Sequence, residues 1–152
     1  MRVYLAGPLF SEAERDYLES VADRLEAEGI EVFVPHRHTI DPLTPANVFA
    51  VDAGGVRDAH AVLAWLDGPM VDDGTACEIG MFAQLCATDP GAHAGIVGLV
   101  TDLRSFRRHA AGLPDAGVNL FVAGAIESCG KVALSLDGAV AQLLAWRTER
   151  GW

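Results

Sequence analysis

The sequence of 152 residues has few basic residues and no long hydrophobic run. None of its apolar stretches approaches the roughly 18 residues that a membrane-spanning helix needs, so we expect no membrane span. Lysine and arginine number 11 against 21 aspartates and glutamates, which leaves a formal net charge of −10 at pH 7. Because such a surface repels polyanions, nucleic-acid polymers are not expected as partners.

Cysteine is also scarce, with Cys77, Cys86 and Cys129 as the only three. Three thiols cannot all pair within one chain, and a domain of this length does not depend on disulfides. We therefore expect reduced thiols, with Cys77 and Cys86 packing as small apolar side chains of a helix. The apolar stretch at residues 3–6 is too short for a secretory signal, so a cytoplasmic location is expected.

Repeats, low-complexity tracts and linkers are missing, and hydrophobic residues make up 51% of the chain against 21% charged. This balance indicates one folded domain over residues 1–152. Short apolar runs alternate with amphipathic stretches, which is typical of an α/β domain with a parallel sheet. The predicted strands are residues 3–6, 32–34, 61–66, 96–100 and 118–122. The predicted helices are residues 11–28, one from 44 that carries Asp52, one from 74, and residues 136–146.

Local signals mark several helix ends. Ser11 and Glu14 have the spacing of a capping box. Thr44-Pro45 suits an N-cap followed by the first helical residue, and Gly29 suits the left-handed residue that ends a helix.

The predicted sheet has a carboxyl edge where ligands of open α/β folds bind. Residues 7–10, 67–78 and 101–104 follow strands there, and the middle segment holds the four carboxylates of Asp67, Asp72, Asp73 and Glu78. We expect Glu78 in the first turn of its helix, where the helix dipole favours the ionised form by ~0.3–1 kcal/mol. An ionised carboxylate in a cleft is a candidate nucleophile.

Paired carboxylates about 5–5.5 Å apart suit retaining glycosyl transfer, in which one attacks the anomeric carbon and the other handles the proton of the leaving group. Acids at a helix start also occur for stability alone, and Asp-Asp-Gly is an ordinary turn sequence. The spacing by itself leaves both interpretations open.

Several motifs follow one another in order along most of the chain. They are residues 4–10 (YLAGPLF), Asp52, residues 66–69 (LDGP), residues 72–80 (DDGTACEIG), residues 101–104 (TDLR) and residues 118–121 (VNLF). In this order they resemble the nucleoside 2-deoxyribosyltransferase family. The resemblance implies a single flavodoxin-like α/β domain with a central, mostly parallel five-stranded sheet flanked by helices. It also implies transfer of 2-deoxyribose from a deoxynucleoside to a free nucleobase through a covalent glycosyl ester, with neither a metal nor an organic cofactor.

The same resemblance assigns roles to individual residues. Glu78 matches the nucleophile, Tyr4 a tyrosine that orients it, Asp72 a carboxylate that places sugar and base, and Asp52 one that handles the base proton. Clustered acids raise one another's pKa, which suits a proton donor. The implied substrate contacts are Gly7, Pro8, Leu9, Phe10, Asp73, Gly74, Asn119 and Phe121.

Asn119 matches an asparagine that reaches the sugar in a neighbouring subunit's site, which implies a homo-oligomer, and Phe121 stands where the family often has methionine. Leu9 and Phe10 form an apolar wall where related nucleotide N-glycosidases carry serine and arginine for a 5′-phosphate. A free nucleoside is therefore favoured, although Ser11 and a basic cluster (Arg104, Arg107 and Arg108) leave phosphate recognition open.

Other interpretations compete with this one. A nucleoside or nucleotide N-glycosidase would use the same residues with water as acceptor. A receiver-type signalling domain would use Asp67 as phospho-acceptor, but it lacks the acidic pair expected after the first strand. His36 and His38 are predicted to lie in solvent rather than to bind a metal, and Gly54-Gly55 does not match a dinucleotide-binding fingerprint.

Overall fold

The computed structural model describes residues 1–103 and 118–152, so the basic cluster at positions 104, 107 and 108 lies outside the described residues. The strands in the described residues are β1 (Arg2–Ala6), β2 (Glu31–Phe33), β3 (Ala61–Trp65), β4 (Gly95–Leu99) and β5 (Lys131–Ala133). The α-helices there are α1 (Glu12–Glu26), α2 (Pro45–Asp58), α3 (Asp73–Thr88), α4 (Leu120–Glu127) and α5 (Leu136–Arg150).

These strands form one sheet in the order β2-β1-β3-β4-β5, with each neighbouring pair parallel. This is the strand order of the flavodoxin-like doubly wound fold, so the predicted fold class is confirmed. The segments that follow β1, β2 and β3 therefore meet at one edge of the sheet.

The core has two layers, because alternate residues of a strand face opposite sides of the sheet. Val3 and Leu5 of β1 pack with α1 and α5, whereas Tyr4 and Ala6 pack with α2, α3 and α4. All four side chains are fully buried. The second layer therefore carries the tyrosine of the motif toward the helix that bears Glu78.

Local sequence signals account for the helix ends. The hydroxyl of Ser11 accepts a hydrogen bond from the Glu14 N–H at 3.2 Å, and the Glu14 carboxylate accepts one from the Ser11 N–H at 2.6 Å, so the predicted capping box is confirmed. Thr44 caps α2 as predicted, and Gly29 has a φ of 74°. The first helix ends at Glu26, two residues earlier than expected.

Two predictions in the C-terminal third are wrong. Residues 118–122 are not a strand: Asn119 caps α4, which begins at Leu120, and the fifth strand is β5. A short run that is apolar on all sides does not distinguish a buried strand from a helix, and β5 has only three residues. The last helix continues to Arg150, where Gly151 adopts a φ of 70° and ends it.

The loops after β3 and β4 are tied to each other at the carboxyl edge. The Asp67 carboxylate accepts hydrogen bonds from both the N–H and the hydroxyl of Thr101, with the first at 2.7 Å, and Asp102 accepts one from the Gly68 N–H at 3.1 Å. Both oxygens of Asp67 are therefore used to connect the two loops. Because neither is free, this arrangement disfavours Asp67 as a phospho-acceptor. Among the described helices, none is both long and apolar enough to cross a bilayer.

Candidate active site

The site is built around a hydrogen bond between β1 and α3. The Tyr4 hydroxyl donates to Glu78 Oε1 at 2.6 Å. The Tyr4 ring is fully buried and stacks on Phe33 with ring centroids 5.2 Å apart, so the hydroxyl is held in place. Burial and the adjacent Glu78 carboxylate raise the pKa of Tyr4, which therefore remains a donor.

Glu78 is the sixth residue of α3, so the expectation that it lies in the first helical turn is wrong. The helix begins one residue earlier than predicted, and Asp73 is the acid in its first turn. Burial raises the pKa of Glu78 to about 7, and the negative charges of Asp52 and Asp72 add to this rise, while the hydrogen bond from Tyr4 opposes it. Desolvation thus outweighs the stabilisation expected from the helix start.

Asp52 lies on α2 and lines the same cavity as Glu78. Burial raises the pKa of its carboxyl group, and the nearby His38 acts in the opposite direction. Its Oδ1 atom is buried and has no hydrogen-bond partner among the described residues. The predicted rise in pKa is thus present at Asp52, but its main cause is loss of water rather than repulsion between acids.

Asp72 is held by the helix that it caps. One of its oxygens, Oδ2, accepts hydrogen bonds from the N–H of Thr75 at 2.9 Å and from the Thr75 hydroxyl at 3.1 Å. Thr75 is itself buried, so the carboxylate has a fixed orientation. A Cβ atom at Gly74 would lie 3.2 Å from the same Asp72 oxygen, so a glycine keeps this turn open.

A cavity of about 510 Å³ brings together most of the predicted site residues. Those in its wall are Gly7, Leu9, Phe10, Asp52, Asp72, Asp73, Gly74 and Glu78. Tyr4 reaches this cavity through its bond to Glu78. Gly7 lies in a closely packed place, because a Cβ atom there would lie 2.9 Å from the Leu18 side chain and 3.3 Å from Cβ of Trp65.

Three predicted contacts do not line this cavity in the single chain. Pro8 lies in the segment after β1 but is not among the residues that line the cavity. Asn119 uses its side-chain oxygen to cap α4, accepting from the Phe121 N–H at 2.9 Å. The Phe121 side chain is 85% exposed.

Sequence reasoning missed the loop that follows β2. His36, His38 and Ile40 line the cavity together with Leu43 and Val48. The prediction that His36 lies in solvent is wrong. Its side chain is partly buried, and its Nε2 lies 2.7 Å from the Glu19 carboxylate. His38 is exposed, as predicted, and stacks on Phe33 at 4.1 Å. The position of this loop after a parallel strand was the signal that could have found it, because all carboxyl ends share one edge.

A second, largely apolar cavity of about 590 Å³ lies between α2 and α3. It shares Asp52 and Glu78 with the first cavity, and the rest of its wall includes Phe49, Ala53 and Met81. Asp52 and Glu78 therefore line both cavities.

The acids and histidines of this region are not arranged as a metal site. Within residues 1–103 and 118–152, no group of three or more His, Cys, Asp or Glu side chains is placed to hold a metal ion.

Comparisons with known proteins give a family and a fold. The sequence model of the family described as nucleoside 2-deoxyribosyltransferase matches residues 3–117. A search of curated proteins gives no match. Among solved structures, a conserved protein of Enterococcus faecalis V583 is 23% identical, with a TM-score of 0.74 over 95% of this chain and 98% of that one.

Two further solved structures have named activities. A 2-deoxyribosyltransferase from Leishmania mexicana is 21% identical, with a TM-score of 0.65 over 95% of this chain and 97% of that one. A CMP N-glycosidase from Clostridium botulinum is 19% identical, with a TM-score of 0.53 over 96% of this chain and 99% of that one. At these identities the likeness establishes the shared fold.

Proposed function

The chain belongs to the nucleoside 2-deoxyribosyltransferase family, and from this premise we propose that it transfers 2-deoxyribose between nucleobases through a glycosyl ester on Glu78. The observation that carries the proposal is the hydrogen bond from Tyr4 to Glu78, made in a cavity that also holds Asp52 and Asp72. The cavity thus holds one carboxylate that a hydrogen bond orients and two further acids. Retaining glycosyl transfer uses such carboxyl groups as nucleophile and as proton donor.

The first half of the reaction forms the ester. Because Tyr4 binds Oε1, Oε2 of Glu78 is the oxygen offered to C1′ of the sugar. As the new C–O bond forms, the C1′–N bond breaks and its electron pair leaves with the base. The ring oxygen spreads the positive charge of the transition state, and the Glu78 carboxylate stabilises it.

Asp52 supplies the proton that the leaving base takes up. Its raised pKa keeps more of the acid form available than an exposed aspartate would have. In the second half of the reaction the nitrogen of an acceptor base attacks C1′, the ester bond breaks, and the acceptor's proton returns to Asp52. Two inversions preserve the configuration at C1′, and no net proton is consumed.

Asp72 and Asp73 are assigned to the sugar side of the cavity. The contacts of Asp72 with Thr75 occupy its Oδ2 and leave the other oxygen for a sugar hydroxyl. Gly7, Leu9 and Phe10 supply an apolar wall for the base, and Pro8 stiffens this segment. Gly74 lets the backbone approach the sugar closely.

A second copy of the chain completes the site in this proposal. Leu120 and Phe121 at the start of α4 are 74% and 85% exposed, and Phe49 of α2 is exposed on the same side of the sheet. Phe49 also lines the apolar 590 Å³ cavity, and an exposed apolar side chain at such a cavity is typical of an interface. The partner's Asn119 and the partner's Phe121 are then close to the sugar, and the assembly is a homo-oligomer.

Base exchange tests the proposal directly. Incubation of thymidine with adenine is expected to give deoxyadenosine and thymine in the wild type. Glu78→Gln is expected to lose at least about a thousandfold in rate, because an amide oxygen is a poor nucleophile. Glu149→Gln makes the same change at an exposed position of α5 and should keep full activity. Full exchange by Glu78→Gln would overturn the assignment, and a deoxyribosyl adduct on Glu78, found by mass spectrometry, would support it.

Hydrolysis is the second candidate and uses the same intermediate, with water in place of the acceptor base. Leu9 and Phe10 form an apolar part of the wall of the 510 Å³ cavity, which favours a nucleoside over its 5′-monophosphate. We expect slow release of deoxyribose when no acceptor base is present, and faster turnover of deoxycytidine than of its monophosphate. The reverse order of rates, with no exchange, would identify a nucleotide N-glycosidase.

The proposed reaction has a place in nucleotide salvage. It converts a deoxynucleoside with one base into a deoxynucleoside with another, without a phosphorylated intermediate. Since both substrates are small intracellular metabolites, a cytoplasmic location fits this role.

A further inference from the structure

The two adjacent glycines of α2, Gly54 and Gly55, have different surroundings. Beyond its own helix, a Cβ atom at Gly54 would have no atom of the described residues within 4 Å. A Cβ atom at Gly55 would lie 2.8 Å from each of three ring atoms of Phe33, namely Cε1, Cζ and Cε2. Because it would be equally far from these three neighbouring atoms, it would press on the face of the ring rather than on its edge. The close approach of α2 to Phe33 therefore requires a glycine at position 55.

Phe33 is stacked on two further aromatic rings. Its ring centroid lies 5.2 Å from that of Tyr4 and 4.1 Å from that of His38. The planes of the rings differ by only 14° and 18°, so all three rings are nearly parallel. A movement of Phe33 perpendicular to its ring therefore changes its distance from both neighbours.

This stack connects α2 to the hydrogen bond between Tyr4 and Glu78, which is 2.6 Å long. Tyr4 and Phe33 lie opposite each other in the paired strands β1 and β2, so the sheet fixes their backbones. Carbon atoms in ordinary contact are about 3.5–4.0 Å apart, so a methyl group at position 55 would displace the Phe33 ring by about 1 Å. Because Tyr4 is fully buried beside that ring, its hydroxyl would be displaced from Glu78 as well.

We propose that Gly55 is a positioning residue for the base-exchange reaction. By letting α2 lie close to Phe33, it supports the stack that holds the Tyr4 hydroxyl on Glu78. This role rests on the proposed function, because it belongs to the same site. Neither Gly55 nor Phe33 lines the 510 Å³ or the 590 Å³ cavity, so both act through Tyr4 rather than by contact with a substrate.

Gly55→Ala and Gly54→Ala form a matched pair of variants. Both replace a glycine of α2 by alanine, so both gain the same helix propensity, but only the first adds a clash with Phe33. We expect Gly55→Ala to lower kcat of base exchange at least about tenfold, with KM within about twofold, because a misplacement of about 1 Å is costly in an active site. Gly54→Ala should keep the wild-type rate, and an equal rate for Gly55→Ala would overturn the proposal.

The Tyr4→Phe background shows whether the effect passes through the hydroxyl. Once that hydroxyl is absent, Gly55→Ala should lower kcat by less than about twofold, because the contact that it disturbs no longer exists. The same fold loss in both backgrounds would mean that α2 moves instead of the ring, and that Gly55 does not act on Tyr4.

A titration of Glu78 tests the same contact without turnover. The hydrogen bond from Tyr4 lowers the pKa of Glu78, whereas burial, Asp52 and Asp72 raise it. A weaker bond in Gly55→Ala should therefore move the titration to higher pH, measured by 13C NMR of the side-chain carboxyl group, which is assigned by its absence in Glu78→Gln. Gly54→Ala should titrate as the wild type does.

Phe33→Leu provides a second route to the same result if Gly55→Ala does not fold. It removes the stacked ring without adding a clash, and it should also move the titration of Glu78 to higher pH. A wild type without base exchange would refute the proposed function, yet these titrations would still show whether the stack holds Tyr4 on Glu78. An unchanged titration in Gly55→Ala or in Phe33→Leu would overturn the positioning role.

Discussion

At the scale of single residues, Glu78 has conflicting requirements. As the proposed nucleophile it must be ionised, yet burial and two neighbouring acids raise its pKa to about 7. Among the residues that the structure describes, the hydrogen bond from Tyr4 is the one contact that stabilises its charge. Tyr4 is therefore expected to control the pH range of the reaction as well as the direction of the carboxylate.

Tyr4→Phe tests this role. Loss of the hydroxyl removes the contact that lowers the pKa of Glu78, so the acid limb of the kcat/KM profile should move to higher pH. The loss of activity is then larger at pH 6 than at pH 8. The measurement is base exchange across that range, and Tyr17→Phe alters the only other tyrosine as a control. An unmoved profile would show that the hydroxyl does not act on Glu78.

The same residue links stability to pH. Its pKa in the folded state, about 7, lies above the ordinary value of 4.5, so the folded protein binds this proton more tightly than the unfolded chain. The free energy of unfolding therefore falls as pH rises from about 4.5 to about 7, by up to about 3 kcal/mol for this group.

Glu78→Gln removes that charge but keeps an acceptor for Tyr4. We expect the variant to be more stable than wild type at pH 8 and nearly equal to it at pH 4, measured by urea unfolding. Glu149→Gln should follow the wild type at both values. A variant that is less stable at pH 8 would mean that Glu78 is not strained by its charge.

At the scale of secondary structure, N-cap residues predict where helices begin more accurately than hydrophobic patterns do. The cap at Ser11 and the Thr44-Pro45 pair locate α1 and α2, because the side-chain oxygen of a cap accepts from a first-turn N–H group that has no partner within the helix. Hydrophobicity alone predicts a strand over residues 118–122. The same cap signal at Asn119 would have given the helix.

Asn119 thus has a structural role and a proposed catalytic one, and substitutions can separate them. Asn119→Ala should lose about 1 kcal/mol of stability with the cap, and activity with the amide. Asn119→Ser keeps a capping oxygen, so stability should recover while exchange remains slow. Ser135→Ala removes the cap of α5 at a residue that lines neither cavity, and should lower stability without slowing exchange. Full activity in Asn119→Ser would remove Asn119 from the site.

At the scale of the whole molecule, parallel strand order brings distant segments together. Tyr4, Asp52 and Glu78 come from β1, α2 and α3, and their roles followed from a family resemblance rather than from spacing. Sequence alone gives neither the burial that raises the pKa of Glu78 nor the loop that places His36 and His38 in the cavity wall. Both depend on how the α2–α3 layer packs over the sheet.

Association of two chains should depend on the exposed start of α4. Phe121→Asp places a charge at the centre of the proposed interface and is expected to give a smaller species with much lower exchange activity, by light scattering and kinetics. Phe121→Met keeps an apolar side chain and should remain associated. An unchanged mass for Phe121→Asp would exclude this surface as the contact between subunits.

The raised pKa of Glu78 also has a consequence for inhibitors. A sugar analogue with a protonated nitrogen in its ring mimics the cationic transition state, and Glu78 attracts it only when ionised. Its Kd should fall by up to about tenfold per pH unit as pH approaches 7, then level off. An uncharged carbocyclic analogue should bind equally at every pH, which makes the pair a calorimetric probe of the ionisation of this one carboxylate.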